Sequence, residues 1–353
     1  NVLIKRMHYL QFNRKGKLGR LINYFSFIVT ASTHVFLLRH YKSIIVYSNP
    51  PILPIVPVIA NILFKIKIVF VCYDIYPDLA LLFGNIHQGS LIEKITNKIN
   101  IALFKRASRI VALSSEMKAY LIENKKYLNE KNVAVIPNWY EEQNEDECVY
   151  NLDIQALKKS GKTIIVYSGN MGICQDMDTI IKAVIQLKEN ADILFIFAGH
   201  GTKQGDLKDK ATKENLRNIL FLDFLQGSNF TDVLKIADCH VVSLEKDVEA
   251  LSVPSKTYSY MAIGRPIIAI MDSKTDIVKD LIQSNAGFQV QQGDVDQLVS
   301  VILELHANKD KVKTMGKNSQ KLFQEKYTRQ ICTQKYYSLM QEVLIEGEKV
   351  KNV

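Results

Sequence analysis

The chain alternates short apolar runs with longer segments of helical periodicity, and this alternation restricts its fold more than any other feature. Ten runs of five to eight residues are rich in Val, Ile, Leu and Phe, which is typical of strands buried on both faces of a parallel sheet. The runs are IIVYS (44–48), KIVFVCYD (67–74), RIVALS (109–114), VAVIP (133–137), TIIVYS (163–168), DILFIFAG (192–199), NILFLDF (218–224), CHVVSL (239–244), PIIAIM (266–271) and GFQVQ (287–291). The acidic stretch EEQNEDE (141–147) interrupts the alternation. The sequence therefore predicts an α/β fold with two doubly wound sheets joined by a linker.

A glycine turn follows the fifth run and precedes a helix start. Gly169-Asn170-Met171-Gly172 comes directly after TIIVYS, and Asp176 opens the periodic segment DMDTIIKAVIQL. A strand, a tight turn and a helix N-terminus bring N–H groups and the positive end of a helix dipole to one place, which favours a phosphate. The alternative is that the glycines only permit positive φ after a strand.

A second motif, VPSKTYSYMAIGRPIIAI (253–270), places a lysine at the start of an amphipathic helix. Lys256 opens this helix, Gly264-Arg265-Pro266 ends it, and an apolar strand follows. Together, this mobile cation and the glycine turn would form the two walls of a diphosphate site. The alternative is that Lys256 is only a solvated surface charge.

The residues that follow the strands of the second sheet suggest where a ligand binds. Gly169, Gly199, Asp223 and Glu245 all lie just past predicted strand ends. Ligands of open parallel sheets bind beyond these carboxyl ends, so the second domain is predicted to form one continuous crevice.

Several further motifs occur together and in a fixed order. They are SNPP (48–51), YDIYPD (73–78), ASRIVALSSEMKAYL (107–121), VAVIPNW (133–139), YSGNMG (167–172), FAGHG (197–201) and IADCHVVSL (236–244). With the 253–270 block, the chain resembles the bacterial glycosyltransferases of family 4, especially those that build capsule, O-antigen and exopolysaccharide repeats. The resemblance implies the GT-B fold, in which two Rossmann-like domains face a cleft. It also implies a retaining enzyme that transfers a sugar from a nucleotide-sugar to a polyprenyl-diphosphate-linked glycan.

The resemblance implies roles for individual residues. Lys256 would neutralise the leaving diphosphate, Glu249 would face the transferred sugar, and Asp74 would lie in the cleft and orient the acceptor. For Asp74 the alternative is a loop cap that precedes Pro77. The residues implied to bind the donor are Gly169, Asn170, Met171, Gly172, Gly199, His200, Ser255, Thr257 and Tyr258.

Two departures from the family pattern affect how the donor is held. The second glutamate of the family's pair, which in many members holds the ribose, is replaced near Ser259. The arginine and lysine that often follow the glycine turn are absent, and Asn170 and Gln175 remain there.

The expected domain boundaries follow from the same pattern. Residues 1–140 are assigned to an acceptor-side domain, 141–160 to the linker, 161–326 to the nucleotide-sugar domain and 327–353 to a helix that crosses back. The contact face of that helix is predicted to contain Tyr336, Tyr337, Met340 and Val343. The glycine-rich first βα turn of the family is missing, so the resemblance implies a truncated N-terminal domain.

Neither a cofactor nor a metal is expected, and the nucleotide-sugar is the donor substrate. Asp176-Met177-Asp178 resembles a metal-binding D-x-D, but its place at a helix start favours Asp176 as an N-cap. Cys72, Cys148, Cys174, Cys239 and Cys332 are widely spaced and form no C-x-x-C pair. This spacing supports neither disulfides nor a zinc site and favours the cytoplasm.

Charge is concentrated in the first domain. Residues 1–140 contain 19 Lys and Arg against 6 Asp and Glu, whereas the rest contains 26 against 30. This asymmetry indicates a polyanionic partner for one domain. Nucleic acid is not expected, because zinc-finger spacing and RNA-binding aromatic signatures are absent.

An anionic membrane surface explains both the charge and the apolar runs between the basic residues. LINYFSFIVTASTHVFLL (21–38) has no charged residue but many polar ones, which favours a buried or interfacial helix over a membrane span. A core helix without lipid contact is the alternative. The run at 43–64 contains four prolines and predicts a strand, a turn and a helix. Basic Arg14, Lys15, Lys17 and Arg20 would attract anionic lipid, so a peripheral location on the inner face of the cell membrane is expected.

Three other functions remain as alternatives. A GT-B nucleotide-sugar epimerase would share the fold but needs no acceptor. A non-catalytic scaffold would bind a nucleotide-sugar without turnover. A dinucleotide oxidoreductase is disfavoured because no G-x-G-x-x-G opens a helix.

Overall fold

The computed structural model describes residues 4–12, 17–141 and 154–349. The chain separates into two compact units. Unit 1 comprises Asn1–Ile136 and Lys335–Val353, and unit 2 comprises Pro137–Gln334. Arg14, Lys15, Cys148 and most of the predicted acidic linker lie outside the described residues.

Unit 1 contains a parallel sheet with helices between its strands. The strands are β1 (Ser43–Tyr47), β2 (Lys67–Cys72), β3 (Ala107–Ala112) and β4 (Val133–Val135). The helices are α1 (Lys17–Thr33), a 3-10 helix (Val35–His40), α2 (Ile55–Phe64), α3 (Asp78–Leu82), α4 (Leu91–Phe104) and α5 (Ser115–Asn124). The strand order is β1-β2-β3-β4. Val69, Val71 and Val111 are fully buried, as expected for strands covered on both faces.

Unit 2 contains a six-stranded parallel sheet. The strands are β5 (Thr163–Ser168), β6 (Ile193–Ala198), β7 (Ile219–Leu222), β8 (Cys239–Ser243), β9 (Ile267–Ile270) and β10 (Gly287–Val290). The helices are α6 (Ile154–Lys159), α7 (Met177–Gln186), α8 (Gln204–Lys213), α9 (Gly227–Ile236), α10 (Lys256–Ile263), α11 (Asp276–Gln283), α12 (Val295–Ala307) and α13 (Lys309–Lys326). Helix α14 (Arg329–Lys349) begins in unit 2 and ends in unit 1. The order β10-β9-β8-β5-β6-β7 is that of a doubly wound Rossmann-like sheet.

The predicted elements are confirmed at all ten strands and at the main helix boundaries. All six residues of β5 are buried, as are those of β6, which accounts for their continuous apolar sequences. Asp176 caps α7 by accepting a hydrogen bond from the Thr179 amide at 3.0 Å. Gly264 ends α10 with φ of 75°. Helix α6 lies inside the segment that was assigned to the linker.

The uncharged N-terminal segment does not form one continuous helix. Helix α1 ends at Thr33 and a 3-10 helix follows. Ala31 is buried, whereas Phe25 is 66% exposed, so α1 has a packed and an exposed side. The next segment forms a strand, a turn and α2, as predicted. In the part of the chain that the structure describes, no helix is both long and apolar enough to cross a bilayer.

The predicted contact face of the C-terminal helix is only partly correct. Tyr327 ends α13, and Val343 in α14 is buried together with Leu339. Tyr337, however, is 59% exposed and does not belong to a packed face. Helical rotation places Leu339 and Val343 on one stripe, and Tyr337 falls beside that stripe.

The two halves of the unit 2 sheet meet at β5 and β8 and separate towards their carboxyl ends. Pairing between these strands is limited to Ile165 with Cys239 and Val166 with His240. Beyond that point the Tyr260 hydroxyl takes the place of β8 as hydrogen-bond partner of β5. It accepts a hydrogen bond from the Ser168 amide at 2.8 Å and donates one to the Ser168 carbonyl at 2.9 Å. The separation opens the sheet at its topological switch point, where ligands of such folds bind.

We expect Tyr260→Phe to lower the free energy of unfolding of unit 2 by about 1–3 kcal/mol, because it leaves two buried backbone groups of Ser168 unsatisfied. Urea unfolding of the full chain measures this loss. Tyr337→Phe is the matched control, since its exposed hydroxyl can bond to water. Equal stability of the two variants would contradict the role assigned to Tyr260.

A second prediction concerns the contact between α13 and the end of α10. A Cβ atom on Gly316 would lie 2.4 Å from the Gly264 carbonyl oxygen, whereas a Cβ on Gly205 in α8 would meet nothing within 4 Å. Gly316→Ala is therefore expected to lower the melting temperature despite the better helix propensity of alanine. Gly205→Ala is expected to leave it unchanged or to raise stability by up to about 1 kcal/mol. Stabilisation by Gly316→Ala would show that the two helices are not in close contact.

Candidate active site

Two glycine-rich loops interlock at the carboxyl ends of β5 and β6. A Cβ atom on Gly199 would lie 2.1 Å from the Gly169 carbonyl oxygen, and one on Gly201 would lie 2.3 Å from the Met171 carbonyl. Both glycines also have positive φ. The loops are joined by hydrogen bonds from Gly169 N to Ala198 O and from Met171 N to His200 O, each at 2.8 Å. The structure thus brings the predicted Gly169 and Gly199 together, and Gly201 is an additional member.

Lys256 reaches this interlock from α10. A Cβ atom on Gly169 would lie 3.2 Å from Lys256 Cε and 3.3 Å from Nζ, so a side chain at this position would press on the end of the lysine. Nζ lies 3.7 Å from the centre of the Tyr167 ring, a cation–π contact. The lysine and the glycine turn, which are about eighty residues apart in sequence, therefore meet in space.

The ammonium group of Lys256 is buried and lacks a hydrogen-bond partner among the described residues. Burial lowers its pKa from 10.5 to about 7. A buried cation without a counter-charge is unfavourable, and an anion that binds beside it would both pair with the charge and raise the pKa. Such a group marks a candidate functional site.

Tyrosines that the sequence analysis did not select hold the two loops in place. The Tyr167 hydroxyl donates to the Asn170 carbonyl at 2.8 Å, and Tyr260 bonds to Ser168 as described above. The buried His240 ring stacks on Tyr260, with centroids 4.2 Å apart. The only sequence signal for Tyr260 is its position four residues after Lys256, which gives both residues the same face of α10.

The predicted cradle of free amides between Gly169 and Gly172 is wrong in its details. The amides of Gly169 and Met171 donate to backbone carbonyls of the neighbouring loop. The Gly172 amide donates to the Gln175 side chain at 3.0 Å, a partner that can rotate away. Gly169 therefore serves mainly by leaving space for Lys256.

The two helix N-termini near the interlock differ in their electrostatics. Helix α7 is capped by the buried Asp176 carboxylate, which offsets the positive end of the dipole and makes it a poor anion site. Helix α10 begins at Lys256, has no side-chain cap at Ser255 and has no acidic residue in its first turn. We therefore expect an anion to be favoured at the start of α10 rather than at α7, where the sequence pattern predicts it.

The remaining residues predicted to bind the nucleotide-sugar donor differ in their exposure. Asn170, His200 and Ser255 are exposed on the loops. Met171, Thr257 and Tyr258 are buried, and their part in donor binding stays a prediction. Thr257 Oγ1 donates to the Pro254 carbonyl at 2.8 Å, and the Tyr258 ring packs against Tyr327 at 5.0 Å. Their apolar neighbours in unit 2 determine this orientation.

Acidic residues in the loop after β8 are held by specific contacts. Glu249 Oε1 accepts hydrogen bonds from the Asp272 amide at 3.4 Å and from the Gln292 side chain, which join it to the ends of β9 and β10. Glu245 pairs with Lys203 at 2.6 Å, and Lys203 also donates to the Gln175 carbonyl. The Lys203–Glu245 pair, which sequence reasoning missed, connects the loops after β5, β6 and β8.

An aromatic pocket adjoins the His200 side of the interlock. The His200 ring contacts the Phe224 ring edge-on, with centroids 5.2 Å apart. Phe224 in turn lines a pocket of about 350 Å³ together with Tyr140, Leu225, Gln226 and Phe230. Its size and aromatic lining suit a flat heterocycle.

Asp74 lies in unit 1, in the loop after β2. Its amide and that of Tyr73 both donate to the Ser48 hydroxyl, at 3.2 and 3.0 Å, which joins the ends of β1 and β2. These contacts fix the backbone of Asp74 and leave its role in acceptor binding a prediction.

The carboxylates of the D-x-D sequence have structural partners. Asp176 accepts from the Thr179 amide and hydroxyl, and Asp178 pairs with Lys210 at 2.6 Å, which lowers the pKa of Asp178. Among the described residues, no group of three or more His, Cys, Asp or Glu side chains is arranged to hold a metal ion.

Comparison with known proteins agrees with this geometry. Residues 151–322 match the family model of glycosyl transferases group 1. WbjE of Pseudomonas aeruginosa, named a probable glycosyltransferase, is 24% identical over 310 residues, which cover 85% of this chain and 74% of WbjE. WcaI of Escherichia coli K12, a putative colanic acid biosynthesis glycosyl transferase, is 25% identical over 210 residues, 58% of this chain and 51% of WcaI.

Solved structures show the same fold. Anabaena HepE, solved in complex with UDP and glucose, superimposes with a TM-score of 0.70 at 17% identity and covers 93% of this chain and 83% of HepE. Two Rossmann-like units with parallel sheets are the components of the GT-B fold. From its group 1 domain, its relatives and this fold, the chain is identified as a glycosyltransferase with the GT-B fold.

Proposed function

We propose that this glycosyltransferase is a retaining, metal-independent enzyme of family 4. It transfers a sugar from a nucleotide-sugar to a polyprenyl-diphosphate-linked glycan on the inner face of the cell membrane, as a peripheral cytoplasmic protein of surface polysaccharide synthesis. The observation that carries the donor assignment is the buried, unpartnered ammonium of Lys256 beside Gly169. A diphosphate is the anion that nucleoside-diphosphate sugars supply.

The comparisons support the substrate classes. HepE has been solved with UDP and glucose, and WcaI is named for colanic acid biosynthesis. The basic unit 1 supports an acceptor that is anchored in an anionic membrane.

Lys256 supplies the electrostatic part of the proposed chemistry. During transfer, the bond from the anomeric carbon to the diphosphate breaks, and negative charge develops on the leaving oxygen. Lys256 and the uncapped start of α10 stabilise that charge in a site shielded from water, where such interactions are strongest. As the acceptor oxygen bonds to the same face of the carbon, which gives retention, its hydroxyl proton passes to the departing phosphate oxygen.

Other groups orient the donor and the acceptor. A phosphate oxygen replaces the Gln175 side chain at the Gly172 amide, and the base occupies the aromatic pocket beside Phe224. Glu249, whose carboxylate is fixed by two donors, contacts the transferred sugar. Asp74 orients the acceptor.

Lys256→Ala is expected to reduce kcat for sugar transfer by about 100- to 1,000-fold, because it removes the main charge that stabilises the leaving group. Transfer from labelled nucleotide-sugars to membranes with lipid-linked acceptor, in the presence of EDTA, measures this change. Lys188→Ala, an exposed position after α7, is the control and should retain full activity. A requirement for divalent cation, or transfer that is indifferent to Lys256, would refute the site assignment. Conversion of the donor without acceptor would indicate an epimerase.

Nucleoside diphosphate binding is expected to take up a proton at alkaline pH. The pKa of free Lys256 is about 7, so this group is mostly neutral at about pH 8.5, and a bound anion returns its pKa towards 10.5. Binding should therefore take up nearly one proton at that pH and almost none below about pH 6, where Lys256 is already charged. Affinity should decline as pH rises above 7.

Calorimetry in buffers of different ionisation enthalpy measures this proton uptake with UDP, GDP and ADP as probes. Lys256→Met keeps a side chain of similar length and should abolish the uptake. If uptake persists in Lys256→Met, another group binds the phosphates.

A further inference from the structure

Helix α4 in unit 1 has an unusual distribution of side chains. Its buried face contains the polar Thr96 and Asn100 beside Leu103 and Phe104. Its outer face exposes Leu91 and Ile95, which are 73% and 45% accessible. An ordinary surface helix of a globular protein shows the opposite arrangement.

The buried polar groups of α4 are satisfied within unit 1. Asn100 Nδ2 donates to the Tyr76 carbonyl at 2.6 Å, and Thr96 Oγ1 donates to the Ile92 carbonyl at 2.8 Å. The Asn100 bond joins the inner face of α4 to the loop before α3, so Leu91 and Ile95 lie on the outer side.

The exposed face combines apolar and basic side chains along one stripe. Spacings of three, four and seven residues align Leu91, Lys94, Ile95, Lys98, Ile101 and Lys105, all of which are exposed. The single acid of the helix, Glu93, is engaged instead by the Gly89 amide at 2.5 Å and by Asn97 at 3.4 Å. Lysines outnumber acids on this helix, so the stripe has a net positive charge around its leucine and isoleucines.

The neighbouring helix α2 also has exposed aliphatic side chains. Helix α2 packs against α4 and exposes Ile62 and Leu63, each about half accessible, followed by the exposed Lys65. Two adjacent helices thus present aliphatic side chains with lysines nearby.

We propose that the outer face of α4 docks on an anionic lipid bilayer. The aliphatic side chains enter the boundary between headgroups and acyl chains, while Lys94 and Lys98 extend to the phosphates. The net positive charge of this face complements anionic lipid. The docking itself does not depend on the proposed function. Only its purpose, which is to bring unit 1 to a membrane-anchored acceptor, rests on that function.

Vesicle co-sedimentation of the full chain, without donor or acceptor, tests the proposal. Binding should require phosphatidylglycerol in phosphatidylcholine vesicles. Lys94→Gln with Lys98→Gln should weaken it by roughly 30-fold, which corresponds to about 1 kcal/mol for each lysine. Leu91→Ser with Ile95→Ser should weaken it by about tenfold or more. The controls in unit 2 are Lys313→Gln with Lys317→Gln and Ile282→Ser with Leu303→Ser, which should bind like the wild type.

A spectroscopic variant locates the contact directly. Ile95→Trp keeps the position apolar, and its fluorescence should shift to the blue and be quenched by brominated lipid when vesicles are added. Vesicle binding that the α4 substitutions leave unchanged, or that does not depend on phosphatidylglycerol, would overturn the proposal. So would a lipid-free dimer that the Leu91→Ser/Ile95→Ser variant dissociates, since the face would then bind a second copy.

The same variants separate this proposal from the proposed function. Transfer to a detergent-solubilised acceptor should be unchanged by the α4 substitutions. Vesicle binding without transfer would support the docking surface and contradict the proposed activity. Transfer without vesicle binding would support the activity and contradict the docking surface.

Discussion

The double hydrogen bond between Tyr260 and Ser168 is the constraint on which the unit 2 site depends. Strands β5 and β8 stop pairing after Val166 and His240, and the Tyr260 hydroxyl satisfies the backbone groups that this separation leaves open. One side chain thus permits the sheet to open and at the same time fastens α10 to β5. Because Lys256 lies one turn before Tyr260, the same contact determines how far the ammonium group stands from Gly169.

Lys256 shows how function and stability conflict in this fold. Its ammonium group is buried against an aromatic ring, with no acidic partner among the described residues. A structural lysine would be paired or exposed, because an isolated buried charge is costly. The ammonium group contacts the Tyr167 ring and lies close to Gly169, and hydrogen bonds of both residues hold them in place. The conflict itself is the strongest evidence that an anion belongs there.

Much of the fold could be predicted from local sequence, because each strand and helix carries its own pattern. The ten apolar runs, the Asp176 cap and the Gly264 stop depend on neighbours within a few residues. The same reasoning found Lys256 and Gly169, since both occur in motifs. It failed where distant residues compete for one group. The amides of Gly169 and Met171 are taken by the β6 loop, and Tyr258 turns towards Tyr327. The outward Leu91 and Ile95 of α4 were also missed, because an amphipathic pattern does not say which side faces the core.

The interlock of the loops after β5 and β6 has a consequence for the evolution of this enzyme. Gly199 and Gly201 sit against the backbone of Gly169 and Met171 so closely that no larger residue fits at either glycine. A larger residue at either position would push the two loops apart. We therefore expect changes in ligand preference to arise from the surrounding side chains, such as those near Glu249 and Phe224, and not from these two glycines.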